Sequence, residues 1–278
     1  MPKLNGLYFD IQKHPLSEID STAGLMNYEW PDPGDTGRFI NIGKTAQGYT
    51  ENMNKACTLG THIAEVLESA LFMRGFENFF IDMMINPGFA ESLLDIITEH
   101  KIRYWEKAID TAGENVLIIR ESDDLGTQET TLLSPELYRK YIMPRHKRLF
   151  NSIRKAAKHK VYIFLHSCGA VRDLIPYLIE EGVDILNPIQ VNAQGMNDTR
   201  DLKKLYGNDL TFWGGAVDNQ QVLSRGTPQE IHDEVERRIG DLAPGGGFVC
   251  STIHNVQPDI PPQNYIAMWE TLQQCGVY

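Results

Sequence analysis

Short apolar runs alternate with amphipathic segments along most of this chain. The runs are rich in β-branched and aromatic residues and are flanked by Gly, Pro or Asn, which is typical of buried parallel strands. Five runs have this pattern after residue 90: VLIIRES (116–122), VYIFLHS (161–167), DILNPIQ (184–190), LTFWGGA (210–216) and FVCSTIH (248–254). An earlier run near ACTLGTH (56–62) brings the number of predicted strands to about six.

The segments between these runs carry helix signals. In GTPQEIHDEVERRIG, Thr227 is suited to cap the helix, Pro228 to its first turn and Glu230 to a capping box. In VRDLIPYLIEEGVD, Pro176 predicts a helix that starts late or bends. A strand-helix alternation of this length predicts a parallel sheet, either a closed barrel or a doubly wound layer.

The first fifty residues differ from the rest of the chain. Stretches such as HPLSEID and YEWPDPGDTGRF mix Pro, Gly, Asp and aromatic residues with little periodicity, which predicts loops and short helices. At 278 residues and 42% hydrophobic, the chain suits one large domain as well as two small ones, and we start from one domain over 1–278, with 1–50 as an irregular N-terminal segment. Six strands are two fewer than a closed eight-stranded barrel needs.

The net charge of the chain restricts its possible binding partners, and its cysteine content indicates the redox state of its compartment. A net charge of -11 gives little attraction for phosphate backbones or anionic lipid, so nucleic acid and membrane surfaces are poor partners. The four cysteines lack a short-spaced framework, which indicates thiols of a reducing compartment. With no apolar stretch of membrane-spanning length and no signal peptide, the prediction is a cytoplasmic protein.

Polar residues gather where the predicted strands end. ESDDLGTQ, HSCG, NPIQ, WGGAVDNQ and CSTIHNVQ each follow or finish an apolar run. In parallel architectures, function collects at the carboxyl ends of the strands. The sequence therefore predicts one site assembled from these five ends.

His166 and Cys168 are the most informative pair at these ends. Residues two apart on a strand point to the same face, and in a closed barrel Cys250 of the last strand could meet the pair. One imidazole and two thiolates are three of the four ligands of a catalytic zinc, which keeps one position open. Glu121 or Asp123 could supply a fourth oxygen.

The other candidates have simpler explanations beside the functional ones. His254 either bonds backbone in a tight loop or faces the substrate. Cys57 and Cys275 fit core positions. The run 145–148, RHKR, is expected to be a solvated helix face, with a phosphate or carboxylate clamp as the alternative.

Four segments together resemble the uroporphyrinogen decarboxylase superfamily from about residue 56 to the C-terminus. They are FLHSCGAVRDLIPYLIEEGVDILNPIQ, LTFWGGAVDNQ, GTPQEIHDEVERRIGDLAPGGGFV and IHNVQPDIPPQNYIAMWET. The resemblance implies a (β/α)8 barrel and either porphyrinogen decarboxylation or corrinoid-linked methyl transfer. The thiol-using branch of the superfamily carries zinc on an H-x-C…C pattern, which His166, Cys168 and Cys250 match.

Two departures from the family qualify this resemblance. The decarboxylases' Arg- and Gly-containing motif has no counterpart in residues 1–60, which argues against porphyrinogen decarboxylation. The usual opening helix and strands are also not evident, so we expect a TIM-type barrel lacking one or two N-terminal strands. Edges near 56–62 and 248–254 would then be covered by a homodimer partner or by the N-terminal segment.

The resemblance therefore implies a corrinoid-linked methyltransferase that moves a methyl group between a corrinoid protein and a thiol or methylated small substrate. Zinc would activate the thiol, and the corrinoid would arrive on a partner protein. The candidate catalytic residues are His254, Asp123 and Glu121, and the candidate ligands of the small-molecule substrate are Asn187, Gln190, Trp213 and Gln128. Two alternatives remain. One is metal-free decarboxylation with His254 and Asp123 as proton donors, and the other is a non-catalytic binding subunit.

Overall fold

The computed structural model describes residues 11–60 and 66–276 and has a parallel α/β fold. Its strands are β1 (Cys57–Gly60), β2 (Val116–Ser122), β3 (Tyr162–His166), β4 (Ile185–Asn187), β5 (Thr211–Trp213) and β6 (Phe248–Val249). All six predicted strands are present, although residues 61 and 62 of the first lie outside the described residues.

The helices of the described part of the chain include two before β1 and one after β6, and the others lie between successive strands. They are α1 (Thr22–Asn27), α2 (Ile42–Gln47), α3 (Val66–Arg74), α4 (Phe76–Ile85), α5 (Pro87–Ala112), α6 (Pro135–Tyr141), α7 (Met143–Ala157), α8 (Ile175–Glu181), α9 (Thr199–Tyr206), α10 (Val222–Arg225), α11 (Pro228–Leu242) and α12 (Pro262–Cys275). Residues 11–50 hold α1, α2 and short turns, as the lack of periodicity predicts. None of the helices described here is both long and apolar enough to cross a membrane.

The chain divides into two compact units. The first comprises the residues up to Asp123 together with Pro135–Ile163 and Glu180–Gly182, and the second comprises Asp124–Ser134, Phe164–Ile179 and the residues from Val183 onward. The units interleave along the sequence. The prediction of one domain over 1–278 stays a prediction.

The first unit is organised around the long helix α5. Strands β1 and β2 pair in parallel, with Leu59 opposite Ile119. Helix α5 buries an apolar stripe that includes Leu94 and Trp105, which are at most 1% exposed. Each such side chain contributes about 1.5–3 kcal/mol when it leaves water. This packing, more than intrinsic propensity, accounts for a helix of 26 residues.

The second unit pairs β3, β4, β5 and β6 in parallel in chain order. The predicted capping box is present at the start of α11, where the Thr227 side chain accepts from the Glu230 backbone N–H and the Glu230 carboxylate accepts from Thr227. Helix α8 begins late, at Ile175 after a 3-10 turn, as Pro176 predicts. The two predictions made from local sequence, the capping box of α11 and the late start of α8, are thus confirmed.

The predicted strand 248–254 is wrong beyond Val249. Strand β6 ends there, and the Thr252 hydroxyl donates to the His254 carbonyl 2.6 Å away, inside the following loop. Ser and Thr side chains that bond nearby backbone in this way compete with strand pairing. Strand alternation therefore does not set the directions of Cys250 and His254.

The predicted solvated face of α7 is also wrong at one position. His146 is fully buried, whereas Lys147 and Arg148 have half-exposed side chains. His146 lies on the apolar stripe of α7, three and four residues before the buried Leu149 and Phe150. The helix period, not the run of basic residues, decides its environment.

Candidate functional site

The HSCG segment forms a turn at the end of β3 in the second unit. Gly169 has φ +95°, a conformation that favours glycine, and a Cβ placed on it would lie 2.5 Å from the carbonyl carbon of Gly126. The Leu125 N–H donates to the Ser167 hydroxyl at 3.1 Å, and the Ala170 N–H donates to the Thr127 carbonyl at 2.8 Å. The turn is therefore fastened to the loop 124–128.

The hydrogen bonds between the turn and this loop bring together an imidazole, a thiol and a carboxylate, all of which can bind a metal ion. The Cys168 Sγ lies 3.4 Å from His166 Nε2, and an Asp124 carboxylate oxygen lies 3.8 Å from the same nitrogen. The Cys168 backbone N–H donates to Asp124 Oδ1 at 2.8 Å, which holds the carboxylate in place. Over the described ranges, these three residues form the one His/Cys/Asp/Glu group whose ligand atoms all lie within 4.8 Å of one another.

Asn187 determines which ring nitrogen of His166 can bind a cation. The Asn187 amide donates from Nδ2 to the Trp213 carbonyl at 3.0 Å, so its oxygen is the atom that faces His166 Nδ1, at 2.7 Å. An amide oxygen only accepts, so Nδ1 carries the proton and Nε2 keeps its lone pair in the neutral ring. That lone pair is on the side of Cys168 and Asp124.

The separations in this group fit zinc. Tetrahedral zinc with ordinary bond lengths places a nitrogen and a sulfur ligand about 3.6 Å apart, and a nitrogen and an oxygen ligand about 3.4 Å apart. The observed values of 3.4 Å to Cys168 and 3.8 Å to Asp124 are close to these. A histidine whose second nitrogen bonds an amide oxygen also has the outer partner that metal-bound imidazoles require.

Cys250 and His254 follow β6 in the same unit. Cys250 is not among the described residues that share the 4.8 Å group. Burial raises the pKa of its thiol to about 11, so it is protonated at neutral pH unless a cation displaces the proton. The His254 ring centroid lies 6.3 Å from that of His166. Cys250 as a zinc ligand and His254 as a catalytic residue stay predictions.

The candidate substrate ligands of the second unit are joined by hydrogen bonds. The Gln190 side chain accepts from the Gly169 N–H at 2.7 Å and donates to Gln128 at 3.0 Å, and Gln128 in turn donates to the Asn192 carbonyl. The Trp213 ring packs edge-on against Phe164, with centroids 5.2 Å apart. Gln190 and Asn187 thus support the HSCG turn directly, and a role in substrate binding stays a prediction.

Glu121 belongs to the first unit and is fully buried at the end of β2. Its carboxylate accepts the indole N–H of Trp105 and lies 2.9 Å from the Lys101 ammonium. These partners balance its charge within the first unit. Its predicted catalytic role is not tested by these contacts.

Asp123 is fully buried in the first unit and belongs to a charged network. It accepts the backbone N–H groups of Leu67 and Glu68 at 3.0 and 2.8 Å, at the start of α3. Its Oδ2 also lies 3.0 Å from His146 Nε2. The other ring nitrogen of His146 lies 2.9 Å from the Glu181 carboxylate, which accepts the Tyr138 hydroxyl at 2.7 Å.

The charge of His146 follows from this geometry. Burial alone would lower its pKa, but the attraction of Glu181 and the hydrogen bonds to Asp123 and Glu181 raise the pKa well above its ordinary value. Both nitrogens face carboxylate oxygens, so both donate and the ring is an imidazolium. Asp123 is therefore engaged by two backbone donors and one buried cation.

Sequence reasoning missed Asp124, the orienting role of Asn187 and the burial of His146. The position of Asp124 depends on the close approach of Gly126 and Gly169, which no local pattern reveals. For His146 a signal existed, since it shares helical spacing with a buried apolar stripe.

Comparison with known proteins identifies the relatives of the chain. The family model described as uroporphyrinogen decarboxylase (URO-D) matches residues 10–275. A curated relative named methylcobamide:CoM methyltransferase MtbA, from Methanosarcina mazei, is 24% identical over 86% of this chain and 66% of its own length. A uroporphyrinogen decarboxylase from Pseudoalteromonas translucida is 23% identical over 93% of this chain and 71% of its own length.

A solved structure shares the fold. A methyltransferase from Methanosarcina mazei superposes with a TM-score of 0.65 at 17% identity, covering 85% of this chain and 64% of the other. The predicted TIM-barrel-type α/β fold with six strands is confirmed. The chain spans less than two thirds of the length of the first methyltransferases it matches, 66% of one and 40% of a methylated-thiol–coenzyme M methyltransferase.

Proposed function

This chain belongs to the uroporphyrinogen decarboxylase (URO-D) family, and we propose that it is a corrinoid-linked methyltransferase whose zinc site includes Asp124, His166 and Cys168. The observation that carries the proposal is the group of imidazole, thiol and carboxylate within 4.8 Å, with the lone pair of His166 Nε2 on the side of the other two. Relatives named methylcobamide:CoM methyltransferases support the reaction class.

In this proposal each residue at the turn has a separate task. His166, Cys168 and Asp124 hold the cation, and Cys250 is the candidate fourth ligand, which loses its proton on binding. Asn187 keeps the proton of His166 on Nδ1. Zinc held there would stabilise an acceptor thiol as a thiolate at neutral pH once that thiol took the place of one of these four ligands.

The methyl transfer balances without an added oxidant or reductant. The acceptor sulfur attacks the methyl carbon of a methylated corrinoid carried by a partner protein, a carbon–sulfur bond forms, and the carbon–cobalt bond breaks with its electron pair on cobalt. His254 is the proposed acceptor of the thiol proton, since its ring lies beside that of His166. Gln190 and Gln128 are the proposed substrate contacts beside the turn.

The contacts of Asp123 weigh against the decarboxylase alternative, in which Asp123 and His254 would donate protons. Asp123 is fully buried and accepts from two backbone N–H groups and from His146. These contacts direct the carboxylate oxygens to partners inside the first unit and leave Asp123 without exposed surface to meet a substrate. Because some relatives are named uroporphyrinogen decarboxylase, the experiment also assays decarboxylation.

The test combines metal analysis with turnover. Purified protein is assayed for zinc, and then for demethylation of methylcobalamin by coenzyme M and a panel of other thiols, followed by cobalamin absorbance. We expect close to one zinc per chain and thiol-dependent demethylation, both lost in His166→Ala and Cys168→Ser. Cys275→Ser, at the end of α12, is the matched control and should change neither.

The other outcomes point to the alternatives. Stoichiometric zinc without turnover on any methyl donor or thiol would favour a binding subunit. Protein free of zinc that releases carbon dioxide from a porphyrinogen would favour the decarboxylase.

A further inference from the structure

A small cavity in the first unit belongs to neither the zinc group nor its supporting residues. Its volume is about 220 Å³, below the 300–1,000 Å³ usual for drug-sized ligands, so it suits a molecule of one ring. It lies between the irregular segment 30–38 and helices α3 and α5. Its lining includes Trp30, Pro33, Arg38, His100, Lys101 and Tyr104.

The aromatic wall of the cavity is fixed by its neighbours. The Trp30 indole N–H donates to the Leu25 carbonyl at 3.0 Å, and its ring packs against Tyr28 and His100 with centroids 5.1 and 5.3 Å away. The ring of Tyr104 packs edge-on against Trp105, with centroids 5.3 Å apart. A wall already held in place loses little conformational freedom when a ligand binds.

The charged residues around the cavity favour a ligand with negative charge. Two cations, Arg38 and Lys101, line it. Lys101 is paired with the buried Glu121 carboxylate at 2.9 Å, so among the residues that line the cavity the exposed Arg38 leaves one positive charge in excess. Burial and Glu121 raise the pKa of Tyr104 while Lys101 and Arg38 oppose them, which places these groups within each other's field. A cationic ligand would meet like charge here.

We propose that this cavity binds a small aromatic monocarboxylate, with its ring against Trp30 and Tyr104 and its carboxylate on the guanidinium of Arg38. A planar guanidinium matches a carboxylate with two parallel hydrogen bonds. The ring-sized volume, the aromatic and proline walls and the excess of one cation together define this ligand class. The site is independent of the methyltransferase proposal.

Calorimetric titration with three probes of similar size tests the proposal. Phenylacetate, the neutral benzyl alcohol and the cationic benzylamine are each titrated into the full chain. We expect one site for phenylacetate, with the neutral probe weaker and the cationic probe not bound. Arg38→Gln should weaken phenylacetate about tenfold or more, the loss typical of a charge-assisted bond.

Arg103→Gln is the matched control, because Arg103 lies on α5 near the cavity but pairs with Asp32 at 3.7 Å and does not line it. Its affinity for phenylacetate should stay within twofold of the unmodified chain. Arg38 is exposed, so its replacement leaves the fold intact, and zinc content should not change in either variant.

Three results would overturn the proposal. They are no binding of phenylacetate, equal binding of benzylamine, or equal weakening by Arg38→Gln and Arg103→Gln. Equal weakening by the two variants would mean that phenylacetate responds to the overall positive charge of this surface and not to a contact with Arg38.

Discussion

Replacing His146 with phenylalanine tests the buried network of the first unit. The ring is fully buried between Asp123 and Glu181, at 3.0 and 2.9 Å. His146→Phe keeps an aromatic ring on α7 but leaves two buried carboxylates without their cation.

The expected loss follows from the burial of all three groups. Asp123 and His146 are fully buried and Glu181 is 1% exposed, so little solvent screens the lost attraction. Removing one partner of a buried ion pair costs about 3–5 kcal/mol, which lowers the melting temperature by roughly 6–20 °C. Adding Glu181→Gln should recover part of the loss, because it removes an uncompensated charge.

The pH dependence has a definite sign. The pKa of His146 is raised in the folded state, so its contribution is fully present below the unfolded pKa of about 6.5 and is lost as pH rises through the folded pKa. The stability of the unmodified chain should fall by up to about 1.4 kcal/mol per pH unit above pH 6.5, and His146→Phe should lack this component.

The assay is thermal and denaturant unfolding followed by circular dichroism from pH 6 to 9. Lys147→Gln is the matched control on the same helix, since Lys147 makes only an exposed pair with Glu180 at 3.6 Å and should change stability by less than about 1 kcal/mol. The reasoning is refuted if His146→Phe is as stable as Lys147→Gln, or if both show the same dependence on pH.

Three further variants probe the second unit. Gly169→Ala forces a Cβ to 2.5 Å from the Gly126 carbonyl carbon at φ +95°, so unfolding curves should show a loss above about 2 kcal/mol, and zinc affinity should fall with it. Thr227→Ala removes the capping box with Glu230 and should cost about 1 kcal/mol in the same assay, with zinc content unchanged. Asn187→Leu removes the acceptor that orients the ligating histidine, and competition with a chromogenic chelator should show zinc binding weakened about 10–100-fold. Unchanged zinc affinity in the Asn187 variant would mean that the amide only fills space.

The fold was predictable wherever signals act over a few residues. Apolar runs bounded by Gly, Pro or Asn identified all six strands, and Thr227 with Glu230 identified the start of α11. The last three strands were predicted too long, since β4 ends at Asn187, β5 at Trp213 and β6 at Val249. The hydrogen bond from Thr252 to the His254 carbonyl, which alternation does not reveal, belongs to a loop.

The candidate site was predictable only in part. Spacing and strand-end position placed His166 and Cys168 side by side, and their atoms lie 3.4 Å apart, although metal binding stays a prediction. Asp124 was missed because its position depends on backbone contact between two glycines far apart in sequence. Glu181 was missed because its partners, Tyr138 on α6 and His146 on α7, lie 43 and 35 residues away in sequence.

Zinc K-edge X-ray absorption on the purified chain tests the metal site most directly. Zinc held by Cys168, His166 and Asp124 predicts a mixed shell, with sulfur at about 2.3 Å and nitrogen or oxygen at about 2.0–2.2 Å, and two sulfurs if Cys250 joins. Cys168→Ser should remove one sulfur from the shell. A shell without sulfur, or one that Cys168→Ser leaves unchanged, would contradict the zinc site.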